Sequence, residues 1–429
     1  KHYPQLSGKQ LHTLRKCDYP TVALEVLSLF GSGIPWYDLS ILLRETYTKK
    51  VFGTEEITPL KWLEPGRLAL LQLSGGPTLA FKDIPLQLLG RLMNYVLEKE
   101  DGTLNILGAT SGDTGSAAAY ALAGKNRLRL FMLSPYGRMS RFQQMQMYTL
   151  NERNIFNLVV NGTFDDCQKV MKEVNDDAEF KEKYHLGAMN SINWARIAAQ
   201  VVYYVYAYCK ATTNIGDEVS FSVPSGNFGN ALAAHVAKQM GVPIRDIIVA
   251  TNENDVLDRF FQTGEYRPRM WGDTSSPSMD ISVASNLERY VHDIEGFNPA
   301  KTARLWASLK SDGKFVLPKS GRNARWMLSG KATDAEVLDT IRMVYREYNT
   351  IIDPHTAVGV KVGLERRDDT PLIVAETAQP AKFADTIREA LGFEPPIPER
   401  FKGLADLPEH TTRIDPDAEA VKQFIAAHV

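Results

Sequence analysis

The chain has 429 residues, more than one hydrophobic core usually serves, so two or three lobes are expected, and its 44% hydrophobic content is enough to fill them. Its 49 Lys and Arg nearly balance its 51 Asp and Glu, with no block of like charge, which argues against a nucleic-acid backbone or an anionic membrane as partner and favours a small-molecule ligand. Cys17, Cys167 and Cys209 are widely spaced, odd in number and without metal-ligand spacing, as suits free thiols in a reducing, cytoplasmic setting.

In chain order, the segment before Leu68 is mostly helical in pattern, most clearly over 38–47, and reads as an added N-terminal helical subdomain (1–75). From about residue 80, strands and helices alternate: helix 81–98, strand 104–108, helix 115–123, strand 128–133, helix 140–150, strand 155–160 and helix 164–174. Helix 193–209, strand 219–223, helix 228–239, strand 247–250 and a later strand at 371–375 continue the pattern. Residues 197–209 are the most apolar stretch, too short and too rich in tyrosine to span a bilayer, and read as buried helix. Alternation at this spacing implies right-handed crossovers and a mainly parallel sheet, hence an α/β protein. Residues 266–298, mixed in Pro, Gly, Ser and Asp, and 395–409, with four prolines, break the pattern and are expected as surface loops or covering segments. The first residue is lysine rather than methionine, which leaves room for a preceding segment, a targeting one included.

Ligands of such sheets gather beyond the carboxyl ends of the strands, so the loops between strand and helix carry the chemistry. Lys82 follows Leu79-Ala80-Phe81 at a helix start, where burial and the positive end of the helix dipole disfavour an ammonium, and a lysine so placed can form a Schiff base. The same pattern suits a snorkelling lysine. Ser225-Gly226-Asn227-Phe228-Gly229-Asn230, between a strand and a helix, has the make-up of a phosphate cradle or of a tight turn, and lacks the lysine of a triphosphate-binding loop. Gly108-Ala109-Thr110-Ser111-Gly112-Asp113-Thr114-Gly115-Ser116 offers hydroxyls and helix-start donors for a carboxylate, or simply a capping cluster. Thr377, after the strand at 371–375, offers a neutral hydroxyl to a pyridine nitrogen, or a helix cap. Two anion-binding helix starts and a semi-buried lysine together are what pyridoxal phosphate carrying an amino acid requires.

The runs Gly76-Pro77-Thr78-Leu79-Ala80-Phe81-Lys82-Asp83, Ala109-Thr110-Ser111-Gly112-Asp113-Thr114-Gly115, Val223-Pro224-Ser225-Gly226-Asn227-Phe228-Gly229 and Pro380-Ala381-Lys382-Phe383 resemble those of the threonine synthase family, in its order. So do Asn190-Ser191-Ile192-Asn193 with Arg196, Ala250-Thr251-Asn252 with Asn254-Asp255, and Pro354-His355-Thr356-Ala357-Val358, so that the resemblance, to the longer microbial and fungal type, covers nearly the whole chain. It implies the fold type II of pyridoxal phosphate enzymes, like the tryptophan synthase β subunit, with the cofactor between a smaller α/β lobe (76–210) and a larger one (211–429). Lys82 would then be the Schiff-base lysine, Gly226, Asn227, Phe228, Gly229 and Asn230 would hold the cofactor phosphate, Thr377 would face the ring nitrogen and Asp113 would lie near the ring oxygen. Thr110, Ser111 and Thr114 are implied for the substrate carboxylate, and Asn190, Ser191, Asn193 and Arg196 for its phosphate, with Asn193 and Arg196 on one helix face. The implied reaction turns O-phospho-L-homoserine and water into L-threonine and phosphate, in a monomer or homodimer. Three positions depart from the family pattern: Gly75 and Gln379 stand where histidine is expected, and Arg141 where proline is usual. The first two keep open a related enzyme, a phospholyase or β-replacement enzyme acting on another hydroxy- or phospho-amino acid; a non-catalytic binding protein on the same fold is the remaining alternative.

Overall fold

The computed structural model describes residues 3–269, 272–318 and 326–429. The chain opens with the helices Gly8–Leu14, Tyr19–Ser28, Trp36–Thr46 and Lys49–Phe52. Ser7 and Asp18 start the first two by accepting N–H groups of the opening turn, and Tyr19, Val22, Val26 and Leu43 pack inward. Among the described residues the strands are β1 (Leu60–Glu64), β2 (Leu68–Gln72), β3 (Leu104–Ala109), β4 (Leu128–Pro135), β5 (Ile155–Val160), β6 (Leu186–Gly187), β7 (Val219–Pro224), β8 (Ile244–Thr251), β9 (Glu265–Tyr266), β10 (Phe315–Val316), β11 (Leu328–Lys331), β12 (Leu372–Glu376) and β13 (Thr412–Ile414).

They form a six-stranded sheet in the order β1-β2-β12-β7-β8-β11, a five-stranded sheet in the order β13-β5-β4-β3-β6, and the short antiparallel pair β9/β10. Only β1/β2 is antiparallel within the two larger sheets. Strands such as β7 and β12 are buried along their whole length, which is why they read as apolar runs rather than alternating ones: helices cover both faces. The α/β architecture with two parallel sheets is the expected one, and no described helix is long and apolar enough to cross a membrane.

Sheet membership cuts across the expected lobes. β1 and β2, within the segment 1–75, hydrogen-bond to β12 in the six-stranded sheet, and β13 returns to the five-stranded sheet beside β5. The helix Trp194–Ala211 shares its core with Val219, Phe221 and Ala231 of the larger lobe and with Tyr19 of the N-terminal helices. The segment 266–298 is not merely a surface loop. It contains the buried helix Leu287–Ile294, where Leu287, Tyr290, Val291 and Ile294 recur at helical spacing, and a turn at Pro277–Met279 that reaches the cleft between the sheets. Its Pro- and Ser-rich composition hides that short apolar stripe.

Gly75 occupies a tight place. A Cβ there would lie 2.7 Å from the Phe52 carbonyl oxygen, and its own carbonyl accepts from Arg400 Nη2 at 2.7 Å. Gly75→His should therefore lower the unfolding free energy by about 1–3 kcal/mol, the usual penalty of overpacking; denaturant unfolding measures it, and an unchanged midpoint would mean that the Phe52 turn yields freely. At the end of β12, burial pushes the Glu376 carboxyl up to about 7 from its ordinary value of 4.5, against hydrogen bonds donated by Ser74 and Gln72 and with Asp353 adding to the rise. A carboxyl whose folded pKa is raised contributes stability that is complete below its unfolded value and lost as the pH climbs through the folded one. Stability should thus decline between about pH 4.5 and 7 by a component that Glu376→Gln removes, as thermal unfolding across that range will show.

Candidate active site

The two sheets leave a cleft of about 720 Å³, partly open to solvent, lined among others by Lys82, Asp113, Arg196, Asn227, Asn230, Ser278, His355 and Thr377. One wall is the loop entering the helix Asp83–Lys99. Its backbone is stitched to the segment after β12: Phe81 N–H donates to the Thr377 carbonyl (2.9 Å), Gln379 N–H to the Leu79 carbonyl (3.1 Å), and Ala80 and Ala378 form an antiparallel bridge. Lys82 and Thr377 are thereby set in one frame although about two-thirds of the chain separates them.

Lys82 Nζ lies 3.1 Å from Asp113 Oδ2. Burial lowers the affinity of Lys82 for its proton, Asp113 opposes this, and Lys382 and Arg196 lower it further. Asp113 starts the helix Asp113–Leu122, whose N-cap, Gly112, has φ +146° and would drive a Cβ to 2.5 Å from the Gln143 side chain; only glycine serves there. The Asp113 carboxylate is fully engaged: Oδ2 takes Lys82 and the Ser278 hydroxyl (3.0 Å), and Oδ1 takes Gln143 Nε2 (2.9 Å) and Lys382 Nζ. Burial alone would raise its pKa, but the two lysines hold it well below the usual carboxylate range.

Facing Lys82 is the loop before the helix Gly229–Gln239. Phe228, in the left-handed region (φ +63°), turns the chain into the helix, and its buried ring packs against Phe261 and Tyr290, which holds the unfavourable backbone in place. Gly226 must be glycine: a Cβ there would come within 2.9 Å of the Ser278 carbonyl oxygen. The hydroxyls of Tyr203 and Tyr204 both donate to Asn230 Oδ1, which leaves Asn230 Nδ2 buried and without a partner among the described residues. A buried donor of this kind at a helix start calls for an anion. Arg196 stands similarly: it is 4% exposed, its Nη1 has no partner among the described residues, and burial pushes its pKa down to about 10. His355 Nε2 accepts the Ser278 N–H (3.2 Å), so the ring proton lies on Nδ1, which is 2.9 Å from Asp353 Oδ1 and points its hydrogen there.

Of the residues named from the sequence, Lys82, Asp113, Thr114, Ser191, Arg196, Gly226, Asn227, Phe228, Gly229, Asn230 and Thr377 line the cleft. Thr110, Ser111, Asn190 and Asn193 do not. Thr110 Oγ1 is turned into its own loop, accepting the N–H groups of Gly112 (3.0 Å) and Gly115 (2.8 Å), and Ser111 is exposed at the loop's apex. Asn190 accepts the Ile192 N–H, and Asn193 is the N-cap of the helix Trp194–Ala211, bonded to the Ala195 N–H, rather than a partner of Arg196 on one helix face. Ser278, His355, Gln200 and Lys382 are additions. Lys382 lies inside a quoted run and His355 follows the helix-opening Asp353-Pro354, whereas Ser278 and Gln200 have no local signal. Neither Gly75 nor Gln379 lines the cleft.

A lysine held on a carboxylate, an unpartnered amide donor at a helix start and a neutral threonine form a donor set that fits pyridoxal phosphate. The profile described as "Pyridoxal-phosphate dependent enzyme" matches residues 52–328, and "Threonine synthase, C-terminal" matches 356–425. The threonine synthase of Methylobacillus glycogenes is 50% identical over all of this chain and 93% of its own length, and that of Corynebacterium glutamicum 49% identical over 99% and 91%. The crystal structure of pyridoxal phosphate-bound threonine synthase from Brucella melitensis, 40% identical, superposes with a TM-score of 0.96 over 100% of this chain and 92% of that one. With relatives this similar along its entire length, the chain belongs to the threonine synthase family of pyridoxal phosphate-dependent enzymes.

Proposed function

We propose that this protein converts O-phospho-L-homoserine and water to L-threonine and phosphate, using pyridoxal phosphate. The observation that carries the reading is the placement of Lys82, bonded to Asp113 in the same cleft as the unpartnered donors of Asn230 and Arg196. Two phosphate-seeking sites flanking one lysine suit a phosphorylated cofactor and a phosphorylated substrate. When bound, the cofactor supplies an electron sink through which bonds at the substrate's α and β carbons become labile.

The chain's residues do the rest. Asn230 Nδ2 and the helix-start N–H groups of residues 226–230 bind the cofactor phosphate, aided by the positive end of the helix Gly229–Gln239. Thr377 would offer the ring nitrogen a neutral hydroxyl rather than a carboxylate, which would favour elimination and replacement over transamination. Thr114 and the start of the helix Asp113–Leu122 take the substrate carboxylate. Arg196 takes the substrate phosphate with charge-assisted hydrogen bonds, in a site dry enough to make them strong. Lys82 Nζ, which sheds its proton readily, removes one proton each from the α and β carbons and returns one each to the γ and α carbons, as phosphate leaves the γ carbon and water supplies the β hydroxyl. A cytoplasmic location, which the unpaired Cys17, Cys167 and Cys209 suit, and a monomer or homodimer belong to the same proposal.

The alternative of another phospho-amino acid rested on Gly75 and Gln379, and neither borders the ligand space. Incubation of the purified protein with phosphohomoserine should yield threonine and phosphate; 2-oxobutyrate with ammonia would point to the phospholyase instead. Borohydride should trap the cofactor on Lys82, and Lys82→Ala should lose both the adduct and turnover. Arg196→Gln should lower kcat/KM by about 10- to 150-fold, the weight of a charged hydrogen bond, while cofactor absorbance stays unchanged. Loss of the cofactor in that variant would reassign Arg196 to it.

A further inference from the structure

Lys382 is the most deeply buried cation of the cluster around Asp113. It is 1% exposed and does not line the cleft, and its Nζ lies 2.5 Å from Asp113 Oδ1 and 2.9 Å from the Thr78 carbonyl oxygen. Asp113 thus sits between two lysines, one on each oxygen, with Ser278 and Gln143 filling its remaining sites. An ammonium with no room in the ligand space cannot serve the substrate by contact. It can serve through the carboxylate.

We propose that Lys382 is a positioning residue of the reaction: by holding one oxygen of Asp113 from outside the cleft, it divides that carboxylate between two lysines and frees Lys82 to give up its proton. The inference rests on the role proposed above for Lys82. Were Asp113 bonded to Lys82 alone, the two would form a closed ion pair in a buried site, which holds the lysine proton tightly. With Lys382 in place, Asp113 keeps a counter-ion when Lys82 becomes neutral or is covalently engaged, so no bare charge is left buried. The second ammonium also repels the first. The charged groups facing this cluster from every side agree with that assignment. Arg196, on the helix Trp194–Ala211, adds to the repulsion on Lys82. Asp83, on the helix Asp83–Lys99, interacts with Lys382, but its carboxylate is held by the Thr78 N–H and hydroxyl, both at 2.7 Å, whereas Lys82 Nζ bonds to Asp113. His355 faces Asp113 with its unprotonated Nε2 turned to Ser278.

The test uses full-length protein freed of cofactor, in its unaltered form and as Lys382→Gln and Lys382→Arg. Each is mixed with pyridoxal phosphate over a series of pH values and reduced with borohydride, and the Lys82 peptide is quantified by mass spectrometry. In Lys382→Gln the pH midpoint of adduct formation should rise by about one unit, since a like charge has been removed and Asp113 acts on Lys82 undivided. Lys382→Arg, which keeps the charge, should leave the midpoint where it was. A Lys382→Gln midpoint that stays or falls, or a Lys382→Arg midpoint that moves as far, overturns the inference while leaving Lys82 its role. Absence of any Lys82 adduct in the unaltered protein overturns that role and the inference with it. If thermal unfolding shows that Lys382→Gln does not fold, Lys382→Arg decides: an unmoved midpoint supports the inference and a shift of a unit overturns it.

Discussion

Everything in the cleft depends on one buried carboxylate. Asp113 receives Lys82 from the start of the helix Asp83–Lys99, Gln143 from the helix Arg141–Tyr148, and Ser278 and Lys382 from segments far along the chain. A carboxylate so deeply buried would be costly alone and is stable only because cations and donors surround it completely. That requirement draws distant parts of the chain together in the candidate cleft. It also means that the geometry around Lys82 is dictated by electrostatics between distant segments as well as by core packing.

The loop of residues 225–230 follows a different logic. There the donors are left wanting rather than satisfied: two tyrosines turn Asn230 so that its amide faces the open space, and Phe228 accepts a left-handed backbone to bring the helix start into place. Burial of the Phe228 ring among Phe261 and Tyr290 keeps that conformation, so the local strain is borne by the core. One side of the cleft is therefore saturated with hydrogen bonds and the other is poised for a ligand.

Much of this is legible from the sequence where the signal is local. The alternating elements over 81–250 fall where apolar runs and helical spacing put them, because parallel strands covered on both faces carry continuous apolar residues. The helix-start loops are legible as strand-to-helix junctions from their glycines and hydroxyls, residues that serve caps and turns as readily as ligands. β1 is not, because Leu60–Glu64 lies at a sheet edge, half-exposed, with no clean period. Ser278 is not either: it meets Asp113 from 165 residues away, within a stretch whose composition suggests only a loop. Thr110 and Asn193 illustrate the converse, in that a residue type suited to binding a ligand is equally suited to bonding its own backbone, and only the folded loop chooses.

The placement of β13 bears on how such a chain comes to be folded. Thr412–Ile414 completes the five-stranded sheet beside β5, a partner made some 250 residues earlier. During synthesis the β5 edge must wait, with its ladder of N–H and C=O groups unpaired, while the entire larger lobe emerges from the ribosome. Contacts this distant in sequence form slowly. The five-stranded sheet is therefore sealed only after Thr412–Ile414 has been made, nearly at the end of the chain.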